Sequence, residues 1–255
     1  MAKGIEYMKR KLATKQPRVE LRYNYYEMKH RAVDLKISTP PELMGKTSVL
    51  GWCAKAVDSM ADRLIFSEFR DDNFSIADIY NANNPDVLFD SAILSALISA
   101  CSFIYISLDD EGFPKLQVID GRNATGEIDP ITGLLKEGYA VLERDSETDE
   151  PTLEAYFAPG RTIFYEGGKV YRESIYKTDY PLLVPIIYRP DAKRPFGHSR
   201  ISRACMNIAD SAMRTLKRSE ICAEFYSFPQ KWATGVSQDA EEIDNWKSAI
   251  SYMLV

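Results

Sequence analysis

Long apolar runs are missing from this 255-residue chain. Its most apolar stretch, 92–100, is interrupted by Ser95 and Ser99, and nothing approaches the ~18 residues that a membrane-crossing helix needs. The opening residues Met1-Ala2-Lys3-Gly4-Ile5-Glu6 lack the apolar core of a secretory leader, which predicts an intracellular protein. Histidine is almost absent, with only His30 and His198. The four cysteines, Cys53, Cys101, Cys205 and Cys222, form no CxxC pair. A structural zinc site needs paired Cys or His ligands at short spacing, so no metal or cofactor is expected, and the thiols read as small, buried or half-buried side chains in a reducing compartment. Asn73-Phe74-Ser75 and Asn123-Ala124-Thr125 fit the glycosylation pattern, but without a leader they read as chance matches.

Apolar residues make up 45% of the chain and charged residues 27%, with 32 basic against 37 acidic side chains and a net charge of -5. That composition supports a packed core and excludes a wholly disordered chain. The first 36 residues are basic and aromatic: Lys9, Arg10, Lys11, Lys15, Arg18 and Arg22 surround Tyr23, Tyr25 and Tyr26. Such interleaving suits nucleic acid; it equally suits a surface helix whose rings pack inward while its charges stay solvated. Pro40-Pro41 stops any helix. Val49, Leu50, Cys53, Val57, Met60 and Leu64 recur at spacings of three or four and predict a helix over 46–69. Short helices follow at 75–81 and, opened by Pro85, at 86–101, the latter apolar on most sides and therefore buried.

The pattern then changes. Residues 103–108 read as a strand turning at Asp109-Asp110-Glu111-Gly112 into a partner near 116–119, and further short strands are expected at 138–144, 152–157, 161–165 and 169–176. Residues 102–188 thus predict an antiparallel β-rich module. Pro181, Pro185, Pro190 and Pro195 mark 180–197 as an extended connector. Ser199 then caps a long helix over roughly 200–225, which Phe228-Pro229 ends, and a last helix is expected at 239–252. The fold class is α+β: a helical amino-terminal part, an antiparallel β-rich wing and a long carboxyl-terminal helix.

No catalytic constellation competes for attention. Gly45-Lys46-Thr47-Ser48 has Pro40 where a phosphate loop needs its first glycine, so Thr47 or Ser48 reads as a helix cap. Asp109, Asp110 and Glu111 offer oxygen ligands for a hard cation, or are simply solvated turn residues. Neither His30 nor His198 sits beside a nucleophile elbow. The chain is therefore expected not to be an enzyme. The long helix is more informative. Ile201, Cys205, Ile208, Ala212 and Leu216 form a narrow apolar seam, and Arg200, Arg203, Arg214, Lys217 and Arg218 outnumber Asp210 and Glu220. A narrow stripe of small side chains suits repeated helix–helix contact, though a surface helix of a monomer has similar composition.

Four segments in order resemble the portal proteins of tailed bacteriophages, in particular the Gp6-like group of long-tailed phages. Residues 25–31 (YYEMKHR) are similar to a YYxGxH-type opening, with Met28 where glycine is common. Residues 51–64 (GWCAKAVDSMADRL) resemble a VVDxxxxRL helix. Residues 185–188 (PIIY) followed by 196–201 (FGHSRI), with Gly197 and Ser199, resemble the junction before the stem. Pro229, Gln230 and Gly235 match a PQRxxxG segment. The resemblance covers the front half of such proteins. It implies a wing at 1–195 (helical 1–101, β-rich 102–188, connector 180–197), a stem helix at 198–226 and the start of a clip at 227–255, where the chain reads as truncated. It further implies a virion ring, usually of twelve copies, assembled in the host cytoplasm at one capsid vertex. Double-stranded DNA would be packaged and ejected through it, with terminase, head–tail connector and capsid or scaffold protein as partners and no membrane. Arg203, Arg214, Lys217 and Arg218 are then candidates for subunit contact or for facing DNA. A head–tail adaptor or minor capsid protein, and a metal-dependent phage nuclease, stand as alternatives.

Overall fold

The computed structural model describes residues 3–31, 48–70 and 73–227. The final helix expected at 239–252, Pro40-Pro41, Gly45 to Thr47, and Pro229, Gln230 and Gly235 lie outside the described residues. The chain divides into two compact units, one formed by 1–30 with 51–209, the other by 31–50 with 210–255.

In the first unit, helices α1 (Ile5–Tyr26), α2 (Trp52–Ala61), α3 (Ile76–Asn81) and α4 (Pro85–Ser99) precede the strands β1 (Cys101–Leu108), β2 (Pro114–Ile119), β3 (Ala124–Ile128), β4 (Leu135–Arg144), β5 (Pro151–Ala158), β6 (Arg161–Glu166), β7 (Lys169–Ile175) and β8 (Leu183–Ile187). A further helix, α5 (Arg203–Ser227), begins in this unit and ends in the second. The strands form two antiparallel sheets, one ordered β2-β1-β8 and one a continuous meander, β3-β4-β5-β6-β7. The α+β class expected from the sequence is the one observed.

Three differences from the sequence reading have physical causes. The helix expected at 46–69 is only α2, starting after Gly51 rather than at Thr47 or Ser48. Cys53 and Val57 of its stripe are buried, whereas Val49 is 56% and Leu64 42% exposed. The periodicity continues past the part of the helix that has something to pack against. The proline connector contains β8, with Pro185 opposite Phe103. Because β8 is an edge strand, its outer side lacks a ladder, and a proline without an N–H is tolerated there. Finally, β3 carries Gly126 in mid-strand, a poor strand signal, yet a Cβ at Gly126 would lie 2.7 Å from the Glu137 carbonyl oxygen. Close approach of β4 requires the glycine that hides β3 from sequence reading.

Helix α1 lies on the five-stranded sheet. Met8 and Leu12, one turn apart, are buried with Tyr139, Val141 and Tyr156. Burying side chains of this size stabilises by roughly 1.5–3 kcal/mol each. The polar contacts are equally directed. Glu137 of β4 accepts the backbone N–H groups of Lys3 (2.8 Å) and Gly4 (3.2 Å) at the positive end of α1, together with the Tyr156 hydroxyl at 2.6 Å. Glu154 of β5 accepts from Lys9 at 2.6 Å and from the Tyr139 hydroxyl. Lys11 donates to Glu127 and to the Gly126 carbonyl, both at 2.6 Å, and Lys15 to the Ala124 carbonyl at 3.0 Å. Burial pushes the Glu127 carboxyl up, but its hydrogen bonds and charge pairing with Lys11 and Lys3 outweigh that and hold it below the usual carboxylate value. The lysines expected either to bind nucleic acid or to stay solvated are in fact spent on the sheet.

Candidate functional site

Helix α4 is apolar because it is surrounded: Leu88, Ala92, Ala96, Leu97 and Ile98 are all buried. Its carboxyl end meets α1, α2 and the approach to α5 in one cluster, where Tyr25, Cys53, Val57, Leu97, Ile98, Ile201 and Ala209 are buried and Tyr188, Cys205 and Met206 pack against them. Three of the four sequence segments singled out above converge here. From 25–31, the Tyr26 hydroxyl donates to Asp58 of α2 at 2.9 Å, and Tyr25 stacks on His30 with ring centroids 3.9 Å apart. His30 therefore follows α1 and caps an aromatic ring, and does not sit within a charged helix. From 51–64, the Ala56 carbonyl accepts from Arg200 Nε at 3.2 Å. From the junction, the Arg200 N–H donates to the Leu97 carbonyl at 2.8 Å, and the Ser199 hydroxyl to the Ile98 carbonyl at 2.5 Å.

Ser199 is thus not the cap of the long helix. It satisfies a carbonyl left open at the end of α4, and its Oγ accepts the Ile201 N–H at 3.0 Å. The helix begins at Arg203, and the Ser202 hydroxyl accepts the Cys205 N–H at 3.2 Å, the usual geometry of an N-cap. Gly197 is required by shape. Its φ is +72°, and a Cβ there would lie 2.1 Å from the Tyr188 carbonyl oxygen. The loop before it closes on Asp191, which accepts the N–H groups of Lys193 (2.8 Å) and Arg194 (2.6 Å) and contacts His198 Nε2 at 2.5 Å. The hydrogen bond to His198, then that from Arg194, hold the Asp191 carboxyl below its ordinary value.

Met28, just past α1, has a φ of +59°, in the left-handed region that follows many helices. Tyr26 is pushed up to about 12 by burial and by its hydrogen bond to Asp58, and Tyr23, which shares a 3.1 Å hydrogen bond with Ser95, is pushed up to about 12 by burial.

The chain is similar to phage proteins. It is 25% identical over 239 residues to the portal protein of Mycobacterium phage L5, and 24% identical over 238 residues to that of Mycobacterium phage D29. Each match covers 87% of this chain and 49% of the relative. These similarities support a portal-protein relationship. The chain spans about half the length of the curated relatives it matches, and no family model matches it.

The long helix α5 is the remaining element that the sequence singled out. Its 25 residues span roughly 37 Å at 1.5 Å per residue. The apolar seam expected from the sequence divides. Ile201 and Cys205 pack inward, but Ile208 is 59% and Leu216 42% exposed, while Ala209, Met213 and Lys217 are buried. Arg203 and Arg218 are exposed, and half-buried Arg214 donates to Ser211 Oγ of its own helix at 3.2 Å. The exposed positions Ile208, Ser211, Thr215, Ser219, Cys222 and Tyr226 follow a spacing of three or four, so they lie along one uncharged sector. Among the described residues no group of three or more His, Cys, Asp or Glu is placed to hold a metal ion. Asp109 is occupied with its own turn, accepting the N–H groups of Glu111 and Phe113 at 3.1 and 2.7 Å. No helix is long and apolar enough to cross a membrane among the described residues. The convergence of the three segments was not legible in the sequence; the signal that could have found it was the pairing of hydroxyl and carboxylate types, Tyr26 and Asp58, in two separate motifs.

Proposed function

We propose that this chain supplies the wing and first stem helix of a portal subunit: a ring-forming, non-catalytic conduit through which double-stranded DNA is packaged and ejected at a capsid vertex, and on which terminase and head–tail connectors dock. In this reading 1–195 is the wing, 198–226 the stem and 227–255 the start of the clip, the group is the Gp6-like one, and about twelve copies close the ring. The observation that carries it is the similarity to two phage portal proteins across 87% of the chain. The exposed, uncharged sector of α5 supports it. Small and apolar side chains at that spacing let helices approach closely, and a heterologous contact repeated by rotation closes a ring.

Electrostatics fit the same role. A net charge of -5 per chain, repeated around a ring, weakens sticking of a sliding duplex, since each neutralised phosphate adds affinity by counterion release. Arg203, Arg214 and Arg218 recur on another side of α5 and are assigned to subunit contacts or to transient contact with phosphates. Lys217 is already buried within the chain, so it is assigned to neither outside contact.

The test is negative-stain microscopy and sedimentation of the chain expressed within its complete reading frame. Rings with a central hole are expected, and the double substitution Ile208→Glu, Thr215→Glu should abolish them while the far-ultraviolet spectrum is retained. A folded monomer at tens of micromolar would overturn the reading. Charge reversal at Arg203, Arg214 and Arg218 that changed neither ring assembly nor DNA packaging would remove their assignment.

A further inference from the structure

The joint that roots α5 contains a pair of thiols from distant parts of the chain. Cys53 on α2 and Cys205 in the first turn of α5 have their sulfurs 3.5 Å apart. The first is fully buried, at 0% exposure, and the second is half-buried. Both belong to the first compact unit and to one apolar cluster. The separation is van der Waals contact between sulfurs, and a disulfide would shorten it to about 2.05 Å. The other cysteines differ. Cys101 lies buried at the start of β1 with Lys15 Nζ 3.2 Å from its sulfur, and Cys222 is exposed on α5. The arrangement is therefore a specific pair and not a general richness in cysteine.

We propose that Cys53 and Cys205 form an oxidisable latch that staples the root of α5 to α2. It stays open during synthesis in a reducing cytoplasm and closes under mild peroxide. The asymmetry in exposure assigns the steps. Peroxide reaches Cys205, whose sulfur attacks one peroxide oxygen; the O–O bond breaks, the leaving hydroxide takes the thiol proton as water, and a sulfenic acid remains. The buried Cys53 sulfur then attacks the Cys205 sulfur, the S–O bond breaks, and a second water leaves with the Cys53 proton. Two electrons pass from the two thiols to one peroxide, giving one disulfide and two waters. The crosslink closes a loop of roughly 150 residues, in the range where disulfides stabilise most. It fixes the base of α5, while the exposed sector further along the helix is untouched. The inference stands on the joint alone and holds whether or not the chain forms rings.

The experiment uses the full chain, purified reduced and treated with a small molar excess of hydrogen peroxide. Mass spectrometry of unreduced peptides should find Cys53 linked to Cys205, with a loss of two hydrogens, in most molecules. The melting temperature should rise by roughly 3–5 °C and fall back with dithiothreitol. Cys205→Ser should abolish the link and the shift; Cys222→Ser should leave both. Cys205→Ala, which keeps a small residue at a half-buried site, serves if the serine variant is poorly folded. Recovery of Cys205 as sulfinic acid with Cys53 still reduced, or crosslinks only through Cys222 between chains, would overturn the proposal.

Discussion

Helix α1 carries six basic residues in 22 and α5 four in 25, and the two helices use them differently. On α1, Lys9, Lys11 and Lys15 end on Glu154, Glu127 and main-chain carbonyls of the sheet, and the rings of Tyr23 and Tyr26 reach Ser95 and Asp58. On α5, Arg203 and Arg218 are exposed, and Arg214 finds a partner on its own helix. The difference lies in the neighbours. The five-stranded sheet presents carboxylates from β3, β4 and β5 opposite α1, so its lysines act as mortar within the subunit. On α5 only part of the charge faces outward: Arg203 and Arg218 are exposed, whereas Lys217 is buried. A count of basic residues near aromatics, which left the amino-terminal segment open to a nucleic-acid surface or a solvated helix with its rings packed inward, does not distinguish these cases.

Four experiments break or sharpen that comparison. The largest effect is expected at Glu154, which is 6% exposed. Glu154→Ala leaves the Lys9 ammonium and the Tyr139 hydroxyl without their shared acceptor and should cost about 3 kcal/mol in urea denaturation. A loss under 1 kcal/mol would mean that α1 is not held by its polar contacts. Next comes alkaline pH. Burial first, and hydrogen bonding to a carboxylate second, raise the phenols of Tyr26, Tyr139 and Tyr156, and burial raises that of Tyr23. Groups whose folded pKa is raised stabilise fully below their unfolded value of about 10. That contribution is lost as pH climbs through the folded values, about 12 for Tyr23 and Tyr26. Amide exchange should therefore accelerate in 5–26 and 137–156 between pH 10 and pH 12 before it does in 203–227, and the reverse order would break the contrast.

A smaller effect is expected where α1 ends. Met28→Gly relieves a left-handed residue at the helix terminus, offset by the greater freedom of glycine in the unfolded chain. A gain of about 0.5 kcal/mol in the denaturation midpoint is expected, and a loss of more than 1 kcal/mol would show that the methionine side chain matters more than its backbone. The smallest effects belong to α5. Arg203→Ala and Arg218→Ala should each change the stability of the isolated chain by less than about 0.5 kcal/mol. A cost above 1.5 kcal/mol for either would give these residues a partner inside the chain and erase the comparison.

Much of the fold was legible because it depends on local pattern. The apolar run of α4, the turn Asp109–Gly112, the meander from β4 to β7 and the existence of the long helix α5 all follow from periodicity and turn chemistry. What was misread depends on neighbours. β3 was hidden by Gly126, which β4 requires; β8 was hidden by Pro185, which only an edge strand admits; and Ser199 passed for a helix cap because its true acceptor, the Ile98 carbonyl, is about a hundred residues away. At the site, the motif residues were found but not their meeting. Tyr26 and Asp58, and Arg200 and Ala56, are joined by long-range hydrogen bonds that no spacing rule encodes.

By itself, the sequence determined the class of fold, the mixture of helix and antiparallel strand, and the order of segments that resembles a portal subunit. Those properties are set by backbone geometry and by how often an apolar side chain recurs. Only the tertiary structure decided which charges are spent internally, which face of α5 is left bare, and that Cys53 and Cys205 touch. Each of these is fixed by what lies across a contact, and contacts between residues far apart in the chain exist only once it has folded.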